Sequence, residues 1–221
     1  VLLLIVMFLF SVIGGGLFGL IPAFFKAKFN TNETLFTLML NYIALNVIVY
    51  LRDGPWKDPA SSGFPKIARF DINAQLDSVL GVQAGWIIAL VLTAIVYIYL
   101  KYTKQGYEIS VVGDSENTAR YAGINVKKVT IRTMAISGAI CGLAGFIAVA
   151  GASHTISTST AGGRGFTAII VAWLAQFNTF VMILISFLLV FLQKGAIQIA
   201  SQFNLNDYAS NIITGIILFF I

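Results

Sequence analysis

The sequence predicts an all-α, polytopic membrane helical bundle, and three observations carry that prediction. The chain is 58% hydrophobic with only 10% charged residues, where soluble domains hold about a quarter charged. Its apolar residues gather in several runs of about 18 or more, each long enough as a helix to cross a hydrocarbon core of roughly 30 Å. The charges gather in the breaks between those runs, so the net charge of +5 orients the chain across a bilayer and does not call for nucleic acid.

The elements follow in order. Residues 1–25 are predicted as a first helix, whose Gly14-Gly15-Gly16 and Gly19 permit close approach of a neighbour. Pro22 is expected to end or kink it, and Lys26 and Lys28 fall in a short polar break. A second helix is expected over 31–51, with Asn30 or Thr31 as its cap. Residues 52–82 form a long polar loop with four basic and four acidic residues. A third span is expected over 83–100, with Trp86 and the group Tyr97, Tyr99 and Tyr102 placed as interfacial aromatics. A basic loop at 101–132 precedes a fourth span over 133–150.

Past residue 150 the pattern changes. Residues 151–165 are rich in Ser, Thr and Gly, and the apolar pieces 166–175 and 180–192 are short for a span at 1.5 Å per residue. They read as broken or re-entrant helices, which are tolerated only against protein or a water-filled cavity. A last run at 208–221 begins another span. Val1 and Ile221 both fall inside apolar runs, the pattern expected of a piece of a longer membrane protein. The whole is read as one transmembrane domain over 1–221.

The loop at 101–132 is the most informative stretch. It holds six Lys or Arg against three acids, the bias of a cytoplasmic segment. Lys26 and Lys28 are two spans away, so they must share its side, and the charge-balanced 52–82 loop must lie opposite. Within the loop, Ser115 is placed to cap a short helix with Glu116 in its first turn, and Gly123 followed by Ile124 to close it. Such a helix over 113–123 has no spanning role. With Tyr121 and Ile124 exposed, it suits docking on a cytoplasmic partner better than a merely solvated loop.

Several chemistries are excluded by what the chain lacks. No ionisable group sits at the centre of a confident span, so an ion relay has no members. There is no Gly-x4-Gly-Lys-[Ser/Thr] phosphate loop, His-Glu-x-x-His or Gly-x-Ser-x-Gly motif. One histidine and one cysteine leave no His-based metal set and no internal disulfide. Glu33, Thr37 and Asn41 recur at four-residue spacing on one helical face. Asn41 either lines a solute path or bonds a neighbouring helix, while Glu33 suits the first turn of its helix. Ser137, Cys141 and Gly145, beside Gly138 and Gly142, read as a close-packing stripe. Arg164 serves either to hold a substrate hydroxyl or close a gate, or to snorkel to headgroups, and His154 reads as a loop residue. Phe166 and Trp173 offer faces on which a base can stack.

At these residues the chain resembles the permease subunits of ABC importers, in particular the nucleoside-type group served by basic-membrane-protein lipoproteins, with ribose and other simple-sugar permeases as relatives. The matching loop residues are Thr103, Gly106, Val112-Gly113 and Ala119-Arg120-Tyr121-Ala122-Gly123-Ile124-Asn125-Val126. Ser137-Gly138-Ala139 and Gly142-Leu143-Ala144-Gly145 follow. Upstream, Lys26-Ala27-Lys28-Phe29, Asn32-Glu33, Thr37 to Ala44 and Gly54-Pro55-Trp56-Lys57-Asp58-Pro59 resemble the nucleoside branch. The chain departs from the family where Asn-Pro-x-Ala-Ala-Arg is replaced by Ser115-Glu116-Asn117-Thr118-Ala119-Arg120. Arg164 stands at an aromatic position, and Asn178-Thr179 replaces Asn-Pro.

The resemblance implies a machine of two permeases and two cytoplasmic ABC ATPase subunits, fed by an extracytoplasmic solute-binding lipoprotein in a bacterial cell membrane. ATP would be bound by the partner subunit, with no cofactor on this chain. The implied coupling residues are Gly113, Ala119, Arg120, Tyr121, Gly123 and Ile124, and the implied path runs past Thr37, Asn41, residues 151–166, Arg164 and Phe166. The second permease is either a copy of this chain or a different one. The rivals to nucleoside import are import of ribose or another simple sugar and, in a different class, a stand-alone channel or facilitator. A membrane enzyme lacks a nucleophile, base or metal ligands.

Overall fold

A computed structural model describes residues 2–59, 63–79, 82–203, 212, 215 and 216. Among the described residues, five helices are long and apolar enough to cross a membrane. The chain divides into two compact units, 1–162 and 163–221.

In the first unit, helix α1 runs Leu2–Phe29, straight through Pro22. Pro22 does not end it, because in lipid a proline forfeits one hydrogen bond whereas stopping the helix would expose several backbone groups. Lys26 and Lys28 therefore sit in the last helical turn, where cations suit the helix dipole. Asn30 follows with φ 52°. Helix α2 is Glu33–Asp53, and its cap is Asn32, not Asn30 or Thr31. The Asn32 carboxamide oxygen accepts from Thr34 N at 3.0 Å and Leu35 N at 3.3 Å. Lys26 reaches over to Glu33 at 2.7 Å, closing the α1–α2 turn with an ion pair.

The polar loop then makes a 3₁₀ turn at Ile72–Ala74 and a minimal antiparallel pair, β1 Ser78–Val79 with β2 Val82–Gln83. Helix α3 is Gly85–Tyr102. Two helices occupy the basic loop, α4 Lys104–Asp114 and α5 Glu116–Tyr121. Helix α6 begins at Val126, seven residues before the span expected from hydropathy, and runs to Phe146. It continues as a π-helical segment, Ile147–Ser153, ending at His154 in the left-handed conformation.

What holds the unit together is a seam of bare backbone between α1 and α6. A Cβ on Gly19 would meet Met134 O at 2.7 Å, and one on Gly138 would meet Gly15 O at 2.5 Å and Gly19 Cα at 2.9 Å. Gly142 is equally closed off by Ser11 O and Gly15 Cα. Four glycines, two per helix at four-residue spacing, thus face each other, which is how helices approach closely where lipid gives no hydrophobic drive. The stripe expected to pack, Ser137, Cys141 and Gly145, does not form this contact: space is open beside Gly145, and Cys141 is exposed. At 100° per residue the packing face lies one position further along the helix. Towards the π segment, Leu143, Phe146 and Ala150 form a small buried cluster with Phe8, Val12, Leu76, Ile88 and Leu92 around it. Phe8 meets Phe146 edge-on, ring centres 6.0 Å apart. Large apolar side chains elsewhere, such as Phe10, Met39 and Ile95, are exposed, as expected when lipid is the solvent.

Because α1 and α6 run antiparallel, Lys26 and Lys28 fall at the same end of the unit as the start of α6. The 52–82 loop docks at the other end. Leu76 N donates to Ala150 O at 3.0 Å, Phe70 N to His154 O at 2.9 Å, and Thr155 Oγ1 to Ile67 O at 3.0 Å.

The second unit holds α7, Arg164–Leu174, and α8, Thr179–Gln202. At 11 residues α7 is as short as the apolar pattern indicates. Helix α8 corrects the expectation of a short segment at 180–192. Its 24 residues reach roughly 36 Å, because Gln193 and Lys194 propagate a helix well although they end the apolar run. The span expected over 208–221 lies outside the described residues, apart from Ile212, Gly215 and Ile216, which are helical.

Candidate coupling surface and solute path

The basic loop is a built structure. Thr103 ends α3 and starts α4: its hydroxyl donates to Tyr99 O at 2.6 Å and accepts from Gly106 N at 3.1 Å. Gly106 lies against the Tyr99 and Leu100 carbonyls so closely that no side chain fits there. That pair gives the Thr-x-x-Gly spacing a mechanical cause, a reversal of direction in which a hydroxyl caps and a hydrogen replaces Cβ. Helix α4 is then tied to α6. Arg132 Nη2 donates to Glu108 Oε2 at 3.1 Å and to Gln105 O at 3.4 Å. Both side chains of this ion pair are about three-quarters covered, at 24% and 22% exposure.

Helix α5 is the short capped helix that the sequence predicts within 113–123, starting at Glu116 behind its Ser115 cap. Ser115 Oγ accepts from Thr118 N at 3.3 Å. At the other end Gly123 takes φ 76°. Gly123 N donates to Arg120 O at 3.0 Å and Ile124 N to Ala119 O at 2.9 Å, the paired closure of a Schellman motif. Asn125 at once caps α6, accepting from Lys128 N at 3.1 Å. One helix thus stops and the next starts within four residues. The six residues singled out for coupling separate here. Ala119 is fully buried under α5, while Tyr121 is 94% exposed. Arg120 points outward and pairs loosely with Glu116 at 3.5 Å. Gly123 shapes the turn, and Ile124 is half-buried, not exposed as expected. Gly113 belongs to α4, exposed and with open space beside it. The sequence pattern did not disclose α4 or the Glu108–Arg132 tie. Thr103 and Gly106 were the available signals.

Of the path residues, Thr37 lines an open pocket of about 490 Å³ with Gly15, Phe18, Met134, Ser137 and Cys141. Its hydroxyl donates to Glu33 O at 2.8 Å and Thr34 O at 3.0 Å, so towards the pocket it offers acceptor lone pairs. Asn41 is exposed one turn further along α2 and is not among the pocket's lining residues. Arg164 and Phe166 open α7 in the second unit, after Gly163 with φ 71°. Both are exposed, as is Trp173, whose ring lies 5.7 Å from that of Phe177. Among the described residues no group of three or more His, Cys, Asp or Glu could hold a metal ion.

Comparison with known proteins places this architecture. The glucose ABC transporter permease protein TsgB13 of Haloferax volcanii is 28% identical over 234 residues, covering all of this chain and 61% of the relative. The guanosine ABC transporter permease protein NupP of Bacillus subtilis is 30% identical over 94% of this chain and 61% of its own length. The ribose import permease protein RbsC of Escherichia coli K12 is 29% identical over 67% of this chain and 45% of its own. The chain spans about six-tenths of the length of the first two. No solved structure matches. The family described as branched-chain amino acid transport system / permease component matches from residue 1 to residue 221, and this chain belongs to it.

Proposed function

We propose that the chain is the membrane-spanning permease of an ATP-driven importer for a nucleoside. One observation carries the reading: α5, too short to span, is capped at both ends, fully buries Ala119 and holds Tyr121 clear of the protein at the end that carries Lys26 and Lys28. A helix so restrained moves as a body and passes a push to α4 and, through Glu108 and Arg132, to α6. The excess of Lys and Arg assigns that end to the cytoplasm and the 52–82 loop to the outer face of a bacterial cell membrane. The partners are a separate cytoplasmic ABC ATPase that binds the ATP, a second permease and an extracytoplasmic solute-binding lipoprotein. Thr37, Asn41, Arg164 and Phe166 belong to the solute path, and the chain itself catalyses no reaction.

The nucleoside assignment draws support from relatives named for guanosine and nucleoside transport. Relatives named for glucose and ribose support the second reading, a simple-sugar permease. Uptake of labelled guanosine and labelled ribose in a transport-deficient host expressing the full-length permease with its ATPase and binding protein separates the two. Nucleoside uptake that needs the ATPase subunit is expected. Ribose uptake alone favours the second reading, and uptake with the ATPase gene deleted indicates a facilitator.

A further inference from the structure

Where α6 begins, an open recess of about 520 Å³ is lined by Asn125, Lys127, Lys128, Ile131, Arg132 and Ala135. Three of these six are cations and none is an acid. Among the described residues Lys127 and Lys128 form no ion pair, and both are exposed. Arg132 is only partly committed: Nη2 serves Glu108 and Gln105, while Nε is buried with no acceptor. The cations crowd the start of the recess, with Arg132 the innermost of them. Ile131 and Ala135 continue it along the span, and Lys127 to Ala135 measures about 12 Å along the axis. Cations at Lys127, Lys128 and Arg132 beside Ile131 and Ala135, which lie about 6 Å apart along the axis, are complementary to an amphiphile with an anionic head.

We propose that this recess is a binding site for one anionic phospholipid, its headgroup phosphate held by Lys127, Lys128 and Arg132 and the top of an acyl chain along Ile131 and Ala135. A soluble protein docking on the same end would meet the lysines without reaching Ala135, so the apolar strip favours lipid. Because the site lies on α6 next to the Glu108–Arg132 tie, occupancy would brace the element to which α4 is tethered. The inference needs α6 to cross a bilayer and is independent of which solute is carried.

Native mass spectrometry of the full-length protein in detergent, titrated with phosphatidylglycerol or phosphatidylcholine, tests it. Wild type should retain phosphatidylglycerol selectively. A juxtamembrane lysine contributes roughly fivefold in lipid affinity, so K127A/K128A should weaken retention roughly 30-fold, while K127R/K128R and the distant pair K57A/K66A should retain it. The arginine variant guards against a folding defect in the alanine variant. Equal retention of the two lipids, or unchanged phosphatidylglycerol retention by K127A/K128A, would overturn the site. So would a K127A/K128A protein that binds lipid normally but no longer co-purifies with the ATPase, since the lysines would then serve that subunit.

Discussion

The α1–α6 seam and the 103–125 loop are held by opposite means. At the seam, backbone meets backbone across Gly15, Gly19, Gly138 and Gly142, and no side-chain hydrogen bond between α1 and α6 is needed. In the loop, nearly every restraint is polar: Thr103, Ser115 and Asn125 cap three successive helices, and Glu108–Arg132 ties α4 to α6. The difference follows from solvent. In lipid, association comes from close van der Waals packing, which hydrogens in place of side chains maximise. Next to water, apolar packing is scarce in segments of 6 and 11 residues, so caps and an ion pair supply definition. One region is therefore defined by packing, and the other by caps and an ion pair.

Breaking the seam should have the largest effect. Gly138→Leu places a side chain where even a Cβ lies 2.5 Å from Gly15 O, a clash costing upward of about 3 kcal/mol. The yield of monodisperse protein should collapse, with a fall in thermal midpoint for whatever remains. Tyr121→Glu should separate the two regions: at 94% exposure it should alter stability by less than about 0.5 kcal/mol, yet abolish ATPase co-purification and uptake. Ile124 is a poorer probe, because being half-buried it mixes folding with coupling. Glu108→Gln comes next. It leaves Arg132 short of its anion, at a cost of about 1–2 kcal/mol for a pair this covered. Uptake should fall several-fold while ATPase association persists. Ser115→Ala should be smallest, about 1 kcal/mol of helix stability, read as faster amide exchange in α5 with uptake reduced no more than a few-fold.

Much of this was legible in the sequence, for reasons that differ by element. The α5 boundaries could be read because Ser115 and Gly123 each do something that few other residues can do. Glycine spacing marks α1 and α6 each as close-packing helices without naming the neighbour, and along α6 the packing face lies one position from the Ser137, Cys141 and Gly145 stripe. The ends of α1, α6 and α8 were misjudged because hydropathy marks where lipid stops, whereas helices stop where their hydrogen bonds do. Pro22, Lys127, Lys128, Gln193 and Lys194 all lie inside helices on that account. Helix α4 was invisible since its sequence, Lys104 to Asp114, is polar without a clear stripe, and its tie through Glu108 joins residues 24 apart. Spacing puts Thr37 on one face of α2 with Glu33 and Asn41, but the pocket it lines with Met134 and Cys141 depends on the antiparallel docking of α1 on α6.

A joint made of main chain is indifferent to most of the genetic alphabet. Helices that touch through Cα hydrogens and carbonyl oxygens ask for four hydrogens to remain hydrogens and leave the other faces free to drift. Such a frame can be inherited unchanged while the surfaces that meet solute, lipid or partner are rewritten around it.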